Sequence, residues 1–161
     1  MQNFIIRAVE KCDLTLLDSA LRALSLELGD EHPASMEFLE QAGFGPTPTY
    51  HALIALTTDD NLSGAVVFSP VMSTSLAATG LYVSDLWVSQ TARAVGLGRQ
   101  LLAQAADASH TRWGANYLKL AVYDSSRQAR RFYDHLGLEE RSGESTLFLN
   151  KPRFDALKAR A

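Results

Sequence analysis

Hydrophobic residues in this chain of 161 residues follow two periods, and each period predicts one kind of element. A spacing of three and four residues puts apolar side chains on one helix face, whereas alternation or a short apolar run is typical of a strand. The helical spacing predicts helices over residues 14–28, 36–42, 96–113, 126–137 and 154–161. The other pattern predicts strands over residues 4–9, 50–56, 62–72, 81–88, 117–123 and 146–149.

The order of these elements predicts the fold class. Three consecutive strands are followed by a run in which strands and helices alternate, and this order indicates a mixed sheet covered by helices. The chain is therefore expected to be an α/β (α+β) protein. Its length favours a single domain over residues 1–161.

A turn with two glycines separates the predicted strand 81–88 from the predicted helix 96–113. Gly96 and Gly98 leave room for a ligand beside the first N–H groups of the helix, which have no partner inside the helix. Arg93 and Arg99 add charge-assisted donors. The arrangement predicts an anion site for a phosphate, with a plain turn at a helix start as the alternative. A Walker A loop is excluded, because no Gly-Lys-Ser/Thr follows.

Two motifs in the second half of the chain resemble those of the GNAT superfamily of N-acetyltransferases. R-A-V-G-L-G at residues 93–98 is similar to the family's Gln/Arg-x-x-Gly-x-Gly/Ala signature, and D-L-W-V at residues 85–88 looks like the family's fourth strand. A-R-R-F-Y-D-H-L-G-L at residues 129–138 is similar to the family's later Ala-x-x-Phe-Tyr-x-x-x-Gly-Phe pattern. The resemblance extends over nearly the whole chain. It implies the GNAT acyl-CoA N-acyltransferase fold, with a central, mixed, mostly antiparallel sheet flanked by helices.

The resemblance implies acetyl-CoA as co-substrate and assigns residues to it. In the family the signature loop holds the pyrophosphate with backbone N–H groups, and the fourth strand pairs with the pantetheine arm. The matching residues are Arg93, Ala94, Val95, Gly96, Leu97, Gly98 and Arg99 in the loop, and Leu86, Trp87 and Val88 on the strand. Ser126 stands where the family frequently has an asparagine that helps to hold the pantetheine. A serine is shorter, but it can still cap the helix and donate a hydrogen bond.

The resemblance also points to two catalytic residues. Tyr133 matches the family's frequent general acid, which protonates the leaving thiolate and thereby also contacts the cofactor; plain core packing is the alternative. The acceptor amine must lose a proton, and Asp85 is the candidate base. In simple alternation Asp85 shares a strand face with Val83 and Trp87. An exposed or arginine-paired carboxylate is the alternative for Asp85. The weaker candidates for the base are His51, Asp124 and His135.

Composition and charge narrow the classes of partner. The chain has 15 basic and 18 acidic residues, a net charge of −3, which argues against nucleic acid as a partner. No apolar run approaches the ~20 residues that cross a bilayer, and no signal-peptide pattern is evident, so we expect no membrane partner. Cys12 is the one cysteine, which excludes an internal disulfide and is typical of a small buried side chain. The expectations are a cytoplasmic protein and no bound metal.

The acceptor is the part of the function that the sequence leaves open. Acidic residues gather in one segment: Glu27, Asp30, Glu31, Glu37 and Glu40. They suit a cationic acceptor, with a solvated acidic surface as the alternative. The expected function is therefore direct transfer, in a ternary complex, of an acetyl group to a primary amine. That amine belongs to a small molecule (polyamine-like or aminoglycoside-like) or to a peptide (a lysine or N-terminal amine).

Two other functions remain open beside this one. A non-catalytic acyl-CoA sensor or partner-binding module would keep the fold and the loop without turnover. A phosphate-binding domain for another nucleotide would use the same anion site. A homodimer is also open, because GNAT proteins are often dimers.

Overall fold

The structure is a computed structural model that describes residues 3–141 and 143–159. These residues form two compact units, the first ending at Ser126 and the second beginning at Arg127. No helix in the described part of the chain has the length and apolar character needed to cross a membrane. A single domain over residues 1–161 stays a prediction.

The two units differ in their secondary structure. The first unit contains the following strands and helices: β1 (Phe4–Ala8), α1 (Leu14–Leu28), α2 (Met36–Phe44), β2 (His51–Thr57), β3 (Leu62–Ser73), β4 (Ala78–Val88), α3 (Leu97–Trp113) and β5 (Leu118–Leu120). The second unit contains two helices, α4 (Arg127–His135) and α5 (Lys151–Lys158). Gly29 and Gly114 follow the ends of α1 and α3 with φ of 75° and 68°, a left-handed conformation that glycine adopts without strain. Both helices therefore end where the sequence predicts.

The five strands lie in chain order within one sheet, β1-β2-β3-β4-β5. The first four run antiparallel to their neighbours, whereas β5 is parallel to β4. A parallel neighbour requires a crossover connection, and α3 supplies it between β4 and β5. The predicted mixed, mostly antiparallel sheet with flanking helices is confirmed.

Helices cover both faces of the sheet. One face carries Ala65 and Val67 of β3, which belong to a buried cluster with Leu17 of α1. Gly64 points to the other face, where an added Cβ would lie 2.9 Å from the Leu101 side chain of α3. Consecutive strand residues point to opposite faces, so α1 and α3 lie on opposite sides of β3. This division decides which side chains reach each side of β4.

Three predictions about the second unit and the N-terminal region need correction. Residues 146–149 form no strand; Leu147 and Phe148 are 92% and 88% exposed, and strand propensity alone does not hold a strand without a neighbour to pack against. The last helix begins before residue 154, because the Asn150 side chain accepts a hydrogen bond from Arg153 N–H and caps it. Cys12 is exposed rather than buried.

One buried hydroxyl leads to a stability prediction. The Oγ of Ser109, inside α3, is fully buried and has no hydrogen-bond partner among the residues described. An unsatisfied buried polar group costs about 1–3 kcal/mol, so Ser109→Ala is expected to raise the free energy of unfolding by about 1 kcal/mol. Urea denaturation measures the change. Ser63→Ala is the matched control, because the buried Ser63 hydroxyl bonds to Asn61 C=O; equal effects in both variants would contradict the prediction.

Candidate active site

The fourth strand extends beyond its parallel neighbour. Pairing between β4 and β5 ends at Val83 and Leu120, whereas β4 continues to Val88 beside β3. Among the residues described, no strand lies along the β5 side of β4 after Val83. Backbone groups of residues 84–87 that point this way are therefore available, and an extended ligand with amide groups can add to such an edge.

A β-bulge at Ser84 sets the direction of Asp85. Val83 pairs with Phe68. Asp85 pairs with the preceding residue of that strand, Val67, which leaves Ser84 as an extra residue in β4. Because neighbouring residues of β3 point to opposite faces, Val83 and Asp85 do so too. The expectation that these two residues share a face is wrong, and Asp85 lies on the α1 side of the sheet.

The surroundings of Asp85 favour its neutral form. Burial raises the pKa of the Asp85 carboxyl above its usual 3.8, and a hydrogen bond from Ser84 and the electrostatic interaction with His32 oppose the rise. His32 is held by two contacts, with Nε2 3.1 Å from the Asp18 carboxylate and Nδ1 3.4 Å from Ser25 Oγ. A carboxylate with a raised pKa is a better proton acceptor than an exposed aspartate. The sequence carries no signal for His32 or for its partner Asp18, because only the fold brings His32 close enough to act on Asp85.

The turn between β4 and α3 has a conformation suited to anions. Ala94 and Gly96 are both left-handed, with φ of 62° and 86°, and Leu97 then begins the helix. The first N–H groups of the helix have no partner inside the helix, and the helix N-terminus adds partial positive charge. A Cβ on Gly96 would have only the Gln100 side chain near it, at 4.0 Å, so the space above this glycine is open.

Arg93 makes its side-chain bonds within the protein. Its Nε donates to Val88 C=O at 2.9 Å, and its Nη2 donates to Glu27 Oε2 at 2.6 Å. Glu27 Oε1 also accepts from Trp87 Nε1 at 3.2 Å. The structure thus brings the predicted strand residues, the predicted loop and the end of α1 together.

The acidic segment is largely engaged within the chain. Besides Glu27, Asp30 accepts a hydrogen bond from the Tyr123 hydroxyl at 3.0 Å, and Glu40 pairs with Lys11 at 2.6 Å. Three of the five acidic residues that the sequence suggests for binding a cationic acceptor therefore already bond to residues of the chain.

Tyr133 lies on α4 in the second unit. Its ring contacts that of Phe132, with 5.2 Å between centroids, and burial raises the pKa of its hydroxyl. The phenol therefore stays protonated at neutral pH and can act as a proton donor. Ser126, the last residue of the first unit, directly precedes α4, and its N–H donates to Tyr123 C=O at 3.0 Å.

Two of the weaker base candidates have other surroundings. His51 lies on the α3 face of the sheet, opposite to Asp85, with ring centroids 6.0 Å from Phe68 and 5.3 Å from Trp113. Burial and the charge of Arg112 lower its pKa. His135 Nδ1 lies 2.6 Å from Arg131 C=O at the end of α4.

A five-stranded mixed sheet with an open fourth strand, followed by an anion-type turn, is the framework of an acyltransferase enzyme. A family model described as the acetyltransferase (GNAT) family matches residues 17–138. The chain belongs to this family, as its motifs predict.

Curated relatives and solved structures agree with the family. A Bos taurus thialysine N-epsilon-acetyltransferase is 29% identical over 120 residues, which cover 71% of this chain and 70% of the relative. An integron cassette protein from V. cholerae has the same fold, with a TM-score of 0.78, 20% identity and coverage of 98% and 99%. The aminoglycoside N-acetyltransferase AAC(6')-Iy, solved in complex with CoA, has a TM-score of 0.73, 18% identity and coverage of 94% and 96%.

Proposed function

We propose that the chain transfers an acetyl group from acetyl-CoA to a primary amine, directly, within a ternary complex. The observation that carries this proposal is the open edge of β4 next to the turn with left-handed Ala94 and Gly96. The edge suits the amide-containing arm of the cofactor, and the turn suits its pyrophosphate. The CoA complex of the structurally similar aminoglycoside N-acetyltransferase supports the same choice of cofactor.

In this proposal the cofactor contacts the end of β4, the turn that follows it and Ser126. Backbone groups of Leu86 and Trp87 pair with the pantetheine arm, and N–H groups of residues 95–99 hold the pyrophosphate. Arg93 and Arg99 add charge-assisted hydrogen bonds to it. Ser126 donates a hydrogen bond to the arm where the family frequently uses an asparagine.

The proposed chemistry takes two protons from the acceptor nitrogen and gives one to the leaving thiolate. The acceptor ammonium gives one to the Asp85 carboxylate, directly or through a water molecule, and the freed lone pair attacks the thioester carbonyl carbon. The C–N bond forms as a tetrahedral intermediate, and the C–S bond then breaks. Tyr133 gives its hydroxyl proton to the departing thiolate, and the resulting phenolate takes the second proton of the acylated nitrogen, which leaves a neutral amide. Positioning supplies much of the remaining rate enhancement, because no covalent enzyme intermediate is needed.

The proposed acceptor is a primary amine on a small molecule or a peptide. An ammonium group is attracted to the Asp85 carboxylate on the α1 face, where Asp18 adds a second negative charge near His32. The bovine relative is named for the ε-amine of thialysine, and several structural neighbours are aminoglycoside acetyltransferases. A lysine-like amine is therefore the first acceptor to test.

An amine panel tests the proposal. Purified protein with acetyl-CoA is given thialysine, lysine, spermidine, an aminoglycoside and a peptide, and mass spectrometry detects acetylated product while a thiol reagent measures CoA release. Tyr133→Phe is expected to lower kcat by about 10²-fold, since it removes the proton donor, with CoA affinity retained. Tyr117→Phe, which loses a hydroxyl bonded to Val71 C=O, is the control.

Two outcomes would overturn the proposal, one in this assay and one in a thermal-shift screen of cofactors. Tight CoA binding with no turnover on any amine would favour the non-catalytic sensor or partner-binding module. A larger rise in Tm with ATP or NAD than with CoA would favour a nucleotide-binding domain of another kind.

A further inference from the structure

One carboxylate joins the end of α1 to the end of β4. Glu27 accepts from Trp87 through Oε1 and from Arg93 through Oε2, at 3.2 Å and 2.6 Å. Arg93 is itself tied to the strand by its bond to Val88 C=O, at 2.9 Å. We call Glu27, Trp87 and Arg93 together the Glu27 bridge. It contacts both segments that are proposed to hold acetyl-CoA.

The Glu27 bridge lies directly before a strained residue. Arg93 has an extended conformation, and the next residue, Ala94, is left-handed with φ of 62°. That conformation is unfavourable for a residue other than glycine, so it persists only where the surrounding structure imposes it. The bonds that fix the Arg93 side chain supply such a constraint on the entry to the turn.

We propose that Glu27 is a positioning residue for the cofactor loop, an inference that rests on the proposed use of acetyl-CoA. Glu27 orients the Arg93 guanidinium and the Trp87 indole, and thereby holds the turn in its anion-binding conformation before the cofactor arrives. Arg93 uses two of its five N–H donors for Glu27 and Val88. Within the part of the chain that the structure describes, its other donors bond to no residue, and they are proposed to bind the pyrophosphate.

Two possible roles of the Glu27 carboxylate predict opposite effects of its removal on CoA binding. As a bare negative charge near an anion site, Glu27 would repel the pyrophosphate, so Glu27→Gln would tighten CoA binding. As a positioning residue it favours the bound conformation, so the same substitution would weaken CoA binding. The ion pair between Arg93 and Glu27 is partly exposed, with 31% of the Arg93 side chain and 37% of the Glu27 side chain accessible to solvent. Solvent screening therefore reduces both effects. A charge-assisted hydrogen bond in this setting corresponds to about a threefold to tenfold change in affinity.

Calorimetric titration with CoA measures the effect on the full chain. We expect Glu27→Gln to raise the Kd for CoA about threefold to tenfold, with the increase retained in 1 M salt, where charge effects are screened within about 3 Å. Asp107→Asn is the matched control, since it removes one exposed negative charge from α3. Its Kd is expected to stay within about twofold of the unaltered protein.

A spectroscopic signal tests the Glu27 bridge without ligand. In a ¹H–¹⁵N spectrum the indole N–H of Trp87, assigned with Trp87→Phe, is expected to shift in Glu27→Gln. The indole N–H of Trp113 donates to Gly80 C=O, away from Glu27, and is expected to stay in place as the internal reference.

The outcomes separate this inference from the proposed function. CoA binding by the unaltered protein with equal or tighter binding by Glu27→Gln overturns the positioning role alone. An unshifted Trp87 indole resonance overturns the Glu27 bridge. Failure of the unaltered protein to bind CoA overturns the proposed function and the positioning role together.

Discussion

The Asp85→Asn variant is expected to lose about 10²- to 10⁴-fold in kcat and at the same time to gain stability. Asparagine keeps the shape of the side chain and removes its ability to accept the amine proton. It also removes the negative charge of a partly buried carboxyl group, and the fold favours the neutral form of that group. Loss of activity together with a higher Tm distinguishes a catalytic carboxylate from a structural one, whose removal would lower both.

The pH dependence follows from the direction of the same pKa shift. Because the pKa of Asp85 is raised on folding, the folded state binds this proton more tightly than the unfolded chain. The stabilisation is fully present below the unfolded value of about 3.8 and is lost as the pH rises through the folded value. The activity of the unaltered protein should rise over that interval, and the Tm advantage of Asp85→Asn should grow over it.

Thermal melts and kcat/KM measured from pH 4 to pH 8 check both halves of this expectation. Asp107→Asn again serves as the charge control. If Asp85→Asn retained its rate at saturating amine, the proton acceptor would lie elsewhere, and His32 would be the next residue to replace because it interacts electrostatically with Asp85.

The second large effect is expected at the turn before α3. Gly96→Ala should weaken CoA binding about tenfold to a hundredfold, since a Cβ enters the open space where the pyrophosphate is proposed to approach the backbone. The new side chain meets no protein atom closer than 4.0 Å, so a steric clash within the chain is not the cause. Its conformational cost is that of a left-handed alanine, about 1–2 kcal/mol.

Gly114 offers a control at the other end of the same helix. It is also left-handed, with φ of 68°, and an added Cβ would meet nothing within 4 Å. Gly114→Ala should therefore lose a similar amount of stability in urea denaturation and retain CoA affinity in calorimetric titration. Equal losses of affinity in the two variants would show that the effect comes from stability, and the turn would then not be the pyrophosphate site.

Periodicity predicted most of the first unit, because its elements have strong local signals. The leucine repeat predicts α1, and the glycines that follow α1 and α3 predict where these helices end. The strands from β1 to β4 lie where the apolar runs predict them. Residues 146–149 carry an equally apolar run but form no strand. Local sequence reports propensity, whereas a strand also requires a neighbour.

The candidate site was predictable only where a motif carried it. The loop at residues 93–99 and the strand before it follow from their resemblance to GNAT proteins. The bonds from Glu27 to Trp87 and Arg93 join residues 60 and 66 positions apart, and no local pattern predicts such a pair. The prediction that Asp85 shares a strand face with Val83 was wrong for a similar reason, because simple alternation assumes a strand without a bulge.

That bulge, more than the identity of the residues around it, places the candidate base. Regular pairing with Ser84 retained would put Ser84 opposite Val67 and Asp85 opposite Val66, and Asp85 would then project toward α3. Deleting Ser84 would instead remove the bulge and leave Asp85 opposite Val67, on the α1 face. Substitutions in this part of β4 change one contact at a time, whereas a slip of one residue in the pairing turns every following side chain to the opposite face.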